Sequence, residues 1–254
     1  MPDIEIMGMI GVNRERDSSR GVTVSLFGGG INPADEIPAG IDADYIAEFS
    51  QAHEASGFDK VLIGYSSATA EGFAVAGYAA SQTKTLGYLI AHRPGFVFPT
   101  LLARQAATLD QLTEGRIALH IISGGSDLEQ RRDGDWSDHD ARYRRTDEFM
   151  GVLSRVWTET APFDHEGEFY KFEQNLSEVR TSQKPGVPLY FGGASDVAKD
   201  VGPFGADLFG DIRCAAEIER HARFLKGPDF AEVLLKSVEL AFVVEWCGLG
   251  PNAT

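Results

Sequence analysis

The chain has 254 residues, 43% of them hydrophobic, and a formal net charge of −15. This length allows a large buried core, built either as one α/β barrel or as two smaller domains. The acidic charge argues against a protein that binds nucleic acid or anionic membranes by electrostatic attraction.

The first half of the chain alternates predicted strands with predicted helices. A strand near residues 5–10 is followed by a long loop to residue 42. The next helix is predicted to be capped by Asp44 and ended by Gly57, with inward positions at Ile46, Phe49, Ala52 and Ala55. The pattern then predicts strands at 60–63, 86–92 and 116–122. Between them it predicts a helix at 70–81 and a helix from Pro99 to Gly115, with Leu112 on the inner face of the second helix. This alternation indicates a parallel sheet.

The second half contains a long predicted helix, a hairpin and further strands. The helix is predicted at residues 142–157, and two short strands around Glu166-Gly167 form the hairpin. Strands at residues 187–191 and 207–209 bring the parallel sheet to six.

Six strands by residue 209 leave 45 residues, whereas one βαβ crossover takes about 30 or more. Residues 212–225 can form a helix, and residues 233–246 an apolar strand or helix. We therefore predict an α/β barrel of about six to seven strands that is incomplete at its C-terminus. Its barrel domain would span residues 1–210, and residues 211–254 would form a divergent tail.

The cysteines and the N-terminus bear on the cellular compartment. Cys214 and Cys247 show neither metal-ligand nor Cys-x-x-Cys spacing, which fits a reducing compartment. The N-terminus lacks the pattern of a signal peptide, and no apolar run reaches membrane-spanning length. We expect a soluble, cytoplasmic protein that binds no metal, no nucleic acid and no membrane.

Two glycine-rich loops follow neighbouring predicted strands. Ser123-Gly124-Gly125 follows the fourth strand, and Gly192-Gly193-Ala194-Ser195 follows the fifth. Such a loop at the start of a helix offers backbone N–H groups to an anion such as a phosphate. The alternative is an ordinary strand-to-helix turn. Because both loops lie at the same edge of a parallel sheet, each supports the anion-binding interpretation of the other.

Several histidines and their neighbours are candidates for chemistry. His139 and Tyr143 are four residues apart, so they share a helical face and can converge on one ligand; the alternative is a capping histidine and a half-buried tyrosine. His92-Arg93 ends the third strand, at the edge where function is expected, or contacts local carbonyl and carboxylate groups. His120 lies within the fourth strand; it would be a barrel-interior histidine if it points inward, and the favoured alternative is a hydrogen-bonded core histidine. Residues 26–30 suggest a flexible lid loop.

Five motifs, taken in order, resemble those of the bacterial-luciferase-like flavin monooxygenases. They occupy residues 57–67, 92–127, 139–149, 162–173 and 188–196. The alkanesulfonate and dimethylsulfone monooxygenase branch is the most similar. The resemblance covers residues 4–209, more than four fifths of the chain.

The resemblance implies a (β/α)8 TIM barrel that binds reduced FMN at its C-terminal edge. In such enzymes, O2 adds to the flavin, and the resulting peroxyflavin oxidises a small organosulfur compound. The flavin comes from a separate NAD(P)H-dependent flavin reductase, consistent with the lack of a dinucleotide fingerprint here. The cofactor-binding residues carried over by the resemblance are Ser123, His139, Tyr143, Gly193, Ala194 and Ser195.

The catalytic candidates are Thr69 and His92. Thr69 aligns with a cysteine of the sulfonate enzymes, and Tyr65 stands where some members carry an aspartate. An Arg-x-His pair of the sulfonate branch aligns with Glu239 and Ala241. After residue 209 the family pattern ends.

Two alternatives follow from these departures. One is a catalytically impaired flavin-binding relative that acts as a subunit or partner. The other is a deazaflavin-dependent oxidoreductase on the same scaffold. An incomplete barrel would expose edge strands, so we also expect a homo-oligomer.

Overall fold

The computed structural model describes residues 5–14, 40–191 and 201, and the backbone of residues 213–214. Within them, six parallel strands pair in sheet order as β1 (Met7–Met9), β2 (Lys60–Ile63), β3 (Gly87–His92), β4 (Ile117–Ile121), β7 (Leu189–Phe191) and β8 (Arg213–Cys214). A separate antiparallel hairpin consists of β5 (Phe163–Glu166) and β6 (Lys171–Asn175). The predicted parallel sheet and hairpin are confirmed.

In the described residues, five helices lie between strands: α1 (Ala43–Ala55), α2 (Gly72–Ser81), α3 (Pro99–Leu112), α4 (Asp127–Arg132) and α5 (His139–Thr158). The strand–helix alternation is that of a TIM barrel. Helix α4 was not expected from the sequence. Its signal is the Ser-x-x-Glu box, because the Ser126 side chain accepts a hydrogen bond from the backbone N–H of Glu129 at 3.5 Å.

Alternate residues of the strands face opposite sides of the sheet. Ile63, Ile90 and Ile121 belong to the large core beneath the helices. Leu89 and Tyr190, with Ala118, form a second cluster on the opposite, inner face. Both faces of the sheet are therefore apolar, which explains why the strands read as nearly continuous hydrophobic runs.

Two predictions about helix faces are wrong. Helix α1 is capped by Asp42, which accepts from the N–H of Tyr45 at 2.9 Å, and Asp44 lies in the first turn. The buried stripe of α1 passes through Tyr45 and Phe49, so Ala55 is exposed. In the same way the inner stripe of α3 continues at Thr113, whose hydroxyl donates to the Leu109 carbonyl, and Leu112 turns outward and is 77% exposed.

The strand beside β7 also differs from the prediction. Residues 213–214 occupy this position, although residues 212–225 were expected to be a helix. The predicted strand at 207–209 lies outside the described residues. Because β8 lies beyond residue 210, the sheet includes two residues of the predicted tail, and the division at residue 210 stays a prediction. None of the helices in the described part of the chain has the length and hydrophobicity needed to cross a membrane.

Glu54 of α1 holds the loop that leads into β3. Its Oε1 accepts hydrogen bonds from the backbone N–H groups of Lys84, Thr85 and Leu86 and from the Thr85 hydroxyl. Desolvation opposes the charged form, but these donors prevail and lower the pKa of Glu54 from 4.5 to about 2.

We expect Glu54→Gln to lower the melting temperature at neutral pH. Because folding lowers this pKa, the stability it provides is present above pH 4.5 and is lost as the pH falls toward about 2. The difference between wild type and variant, followed by thermal unfolding, should therefore shrink across this window. Glu173→Gln, at an exposed position of β6, is the matched control and should show no such convergence.

Candidate functional site

Strands β2, β3, β4 and β7 end at one edge of the sheet, where ligands bind in parallel α/β folds. The first turns of α5 lie beside this edge. Tyr143 packs edge-on against Phe191, the last residue of β7, with 6.2 Å between ring centroids. The His139 and Tyr143 rings lie 4.8 Å apart, as their spacing predicted.

His139 and Tyr143 differ in exposure and in partners. The His139 side chain is 47% exposed, and its Nδ1 lies 2.8 Å from Oδ1 of Asp140. Asp138, rather than His139, caps α5 by accepting from the N–H of Ala141. Tyr143 is 9% exposed. The pair therefore presents one accessible imidazole and one enclosed ring beside the end of β7.

The loop after β7 lies outside the described residues. Gly193, Ala194 and Ser195 belong to it, so their contact with a phosphate stays a prediction. Its starting point is known, because Phe191 contacts Tyr143 and directly precedes Gly192.

Ser123 at the end of β4 is buried, and its hydroxyl faces α5. It donates to Oγ1 of Thr146 at 2.9 Å, and Thr146 donates in turn to the Arg142 carbonyl. The next residue, Gly124, has a φ of 87°, a conformation that favours glycine. A cofactor contact of Ser123 stays a prediction.

The two catalytic candidates belong to different strand ends, Thr69 after β2 and His92 at the end of β3. Thr69 closes a turn after β2, since its hydroxyl accepts from the N–H of Ser66 and donates to the Ser66 carbonyl. The His92 ring stacks on Phe149 of α5 with 5.6 Å between centroids, on the helix side of the sheet. Burial lowers the pKa of His92 to about 4, so its ring is neutral near pH 7. Both placements favour structural roles, and a catalytic role for either residue stays a prediction.

His120 lies on the other face of the sheet from His92. It pairs in register with Ala91 and Tyr190 and points, like Ala118, to the inner face. Burial lowers its pKa to about 4. It is therefore an inner-face histidine, as one of the interpretations of the sequence allowed.

Residues 126–138, called the rim segment here, include α4 and lie across the ends of β2, β3 and β4. Two arginines of α5 hold its ends. Arg142 donates to the Ser137 carbonyl at 2.7 Å and pairs with Asp127 at 3.0 Å. Arg145 donates to the carboxylate of Asp135 at 2.5 Å.

A third arginine, Arg93, reaches the rim segment from the loop after β3. Its guanidinium lies 3.8 Å from the carboxylate of Glu129 and 3.7 Å from that of Asp133. It also lies 4.6 Å from the centre of the Tyr65 ring. Burial and the nearby Asp133 raise the pKa of Tyr65 to about 12, so the Tyr65 hydroxyl stays protonated and donates to Asp133 at 3.3 Å.

The other arginines of this region form ion pairs at the surface. These pairs are Arg131–Asp127, Arg132–Glu129 and Arg144–Glu168. The sequence did not reveal that Arg93, Arg142 and Arg145 are buried. The hint was the run of carboxylates at residues 127, 129, 133 and 135, which is the charge complement of these arginines.

The rim segment docks without burying an apolar side chain. Its two large apolar residues, Leu128 and Trp136, are 59% and 76% exposed. Its buried residues are Gln130 and Asp135. Hydrogen bonds and ion pairs therefore hold it to the edge of the sheet.

Within residues 5–14 and 40–191, no group of three His, Cys, Asp or Glu side chains is arranged to hold a metal ion.

A model of the luciferase-like monooxygenase family matches residues 22–204, more than half of the chain. The chain belongs to the luciferase-like monooxygenase family. The resemblance inferred from the motifs is confirmed at this level. The alkanesulfonate and dimethylsulfone branch stays a prediction.

Solved structures share the fold. EDTA monooxygenase from Chelativorans sp. BNC1 matches at 18% identity and a TM-score of 0.59, over 77% of this chain and 50% of that one. An F420-dependent secondary alcohol dehydrogenase, solved with an F420–acetone adduct, matches at 24% identity and a TM-score of 0.57. The match covers 64% of this chain and 52% of that one. The oxygenating constituent of 3,6-diketocamphane monooxygenase from Pseudomonas putida, solved with FMN, matches at 20% identity and a TM-score of 0.54. The match covers 60% of this chain and 46% of that one.

These matches confirm the luciferase-like, TIM-barrel-type fold. The chain spans about half the length of the solved structures it matches.

We expect Asp135→Asn to destabilise the protein by up to about 3 kcal/mol, because it leaves the buried Arg145 without a charged partner. In the wild type, desolvation of Asp135 is outweighed by hydrogen bonds from Arg145 and Ser137, which lower the pKa of Asp135 to about 2. Urea unfolding at pH 7 measures the loss.

Asp127→Asn is the matched control, because Asp127 pairs with Arg142 through a carboxylate that is 62% exposed. Solvent screens this pair, so about 1 kcal/mol or less should be lost. Equal losses in the two variants would contradict the role given to burial of Asp135.

Proposed function

We propose that the chain is an FMNH2-dependent monooxygenase that uses O2 to oxidise a small organosulfur compound. A separate NAD(P)H-dependent reductase would supply the reduced flavin. Family membership supports flavin-dependent oxidoreductase chemistry. The choice of FMN and of the substrate is part of the proposal.

The observation that carries the proposal is the position of His139 and Tyr143. Their rings are in contact, tilted by 45° to each other, and lie at the end of β7, directly before the glycine-rich segment at 192–195. A ligand with a phosphate and an aromatic ring could place the phosphate on the loop and its more apolar part against these rings. FMN has both features.

The residues of the edge fit a flavin in three respects. His139 provides an accessible imidazole beside the predicted phosphate loop. The loop after β4 borders open space, since a Cβ atom at Gly125 would meet nothing within 4 Å. The buried arginines fix the surrounding loops. When bound, reduced FMN would supply the electrons for reduction of O2 and oxidation of the substrate, while the protein would bind, orient and exclude water.

A deazaflavin-dependent oxidoreductase is the second candidate. Likeness to the F420-dependent alcohol dehydrogenase supports it, since that structure has a TM-score similar to those of the monooxygenases. A flavin-binding subunit without catalytic activity is the third. Flavin binding without O2-dependent product formation would favour the non-catalytic subunit. Tighter binding of F420 than of FMN would favour the deazaflavin-dependent oxidoreductase. A homo-oligomer remains part of the proposal.

We expect reduced FMN to bind more tightly than NADPH, because the proposed site suits a single phosphate and an aromatic ring, and the sequence shows no dinucleotide fingerprint. Anaerobic titration with each ligand, followed by tryptophan or flavin fluorescence, gives the two dissociation constants. Tighter binding of NADPH would contradict the proposal.

We expect Ser195→Asp to weaken FMN binding at least tenfold, because the new carboxylate would repel a phosphate held at the helix N-terminus that the sequence predicts there. Riboflavin lacks the phosphate and serves as the internal control. Its affinity should change much less in the same titration. Equal weakening of both ligands would show that residues 192–195 do not bind the phosphate.

A further inference from the structure

Gln130 is the most deeply buried residue of the rim segment, with 1% of its surface exposed. It lies on the inner side of α4. Neither Nε2 nor Oε1 of its carboxamide has a hydrogen-bond partner in the described part of the structure.

An amide in this state is unfavourable. Leaving a buried donor or acceptor unpaired costs about 1–3 kcal/mol. A methionine or leucine would fill the same volume without this cost. The residue is therefore poorly explained by packing alone, and its chemistry calls for a polar partner.

The carboxamide lies directly against the loop that follows β4. A Cβ atom built on Gly124 would collide with Nε2 of Gln130. Because Gly124 has no side chain, the Gln130 amide can occupy this space. The φ of 87° at Gly124 also favours glycine. The Arg142 guanidinium also contacts Gly124, because its Nη2 donates to the Gly124 carbonyl at 3.4 Å. Gly125, the next residue, borders open space.

We propose that Gln130 is a ligand-binding residue whose carboxamide pairs with the imide edge of the flavin ring. This inference rests on the proposed function. A phosphate offers only acceptors to a neutral amide and would leave Oε1 unmatched. The imide edge carries an N–H beside a carbonyl, so it matches the N–H donor and the oxygen acceptor of Gln130 together.

The analogous bidentate pairing of a glutamine with the donor–acceptor edge of adenine contributes about 1–3 kcal/mol. Loss of the pairing should therefore weaken binding about tenfold or more. Because FMN and riboflavin share the imide edge, both should be affected equally. This result would differ from that of Ser195→Asp, which should distinguish the two ligands.

The experiment compares wild type with Gln130→Met in two measurements. Thermal unfolding without ligand should show a melting temperature that is equal or higher, because an unpaired buried amide has been removed. Fluorescence titration should show about tenfold weaker binding of both FMN and riboflavin. Gln105→Met, at an exposed position of α3, is the matched control and should change neither quantity.

A ligand-side test does not depend on the folding of a variant. N3-methylriboflavin lacks the imide N–H, so wild type should bind it about tenfold more weakly than riboflavin. Gln130→Met should bind the two flavins with equal affinity.

Two results would overturn the inference. The first is unchanged affinity of Gln130→Met for FMN and riboflavin, and the second is equal affinity of wild type for riboflavin and its N3-methyl derivative. Failure of wild type to bind any flavin would instead overturn the proposed function, and this inference with it.

Discussion

The hydrogen bond between the Arg145 guanidinium and the Asp135 carboxylate joins the rim segment to α5, and the organisation of the site depends on it. Both groups are buried, so each needs the other to compensate for lost hydration. Arg142 and Arg93 add similar contacts along the segment. Because α5 also carries His139 and Tyr143, the same contacts fix the candidate ligand-binding pair relative to the loops after β3 and β4.

Apolar packing stabilises the sheet, whereas polar contacts hold the rim segment. Ile90 and Ile121 belong to a large apolar core beneath the helices, which places the strand ends with little freedom. The polar network above this core then positions side chains at the strand ends. An apolar scaffold that carries a polar site is the usual arrangement in parallel α/β folds, where function depends on the loops.

The sequence predicted the elements well because most of them follow from periodicity. The strand at Lys60–Ile63 and the helix start at Pro99 both appear as predicted. The rim segment was missed because no hydrophobic period marks it, and its local signals were the capping residue Ser126 and the run of carboxylates that follows. The pairing of Arg145 with Asp135 joins residues ten apart through a loop, and no local pattern contains that distance. The unpaired amide of Gln130 could be recognised only from its surroundings.

The absence of buried apolar side chains in the rim segment has a consequence for its response to temperature. Removal of apolar surface from water dominates the heat-capacity change of folding, so docking of this segment contributes little to it. Apolar association weakens on cooling, whereas charged contacts lack that dependence. The core and the rim should therefore respond differently to cold. Near freezing, the edge of the sheet should keep its organisation while the contacts beneath the helices lose part of their driving force.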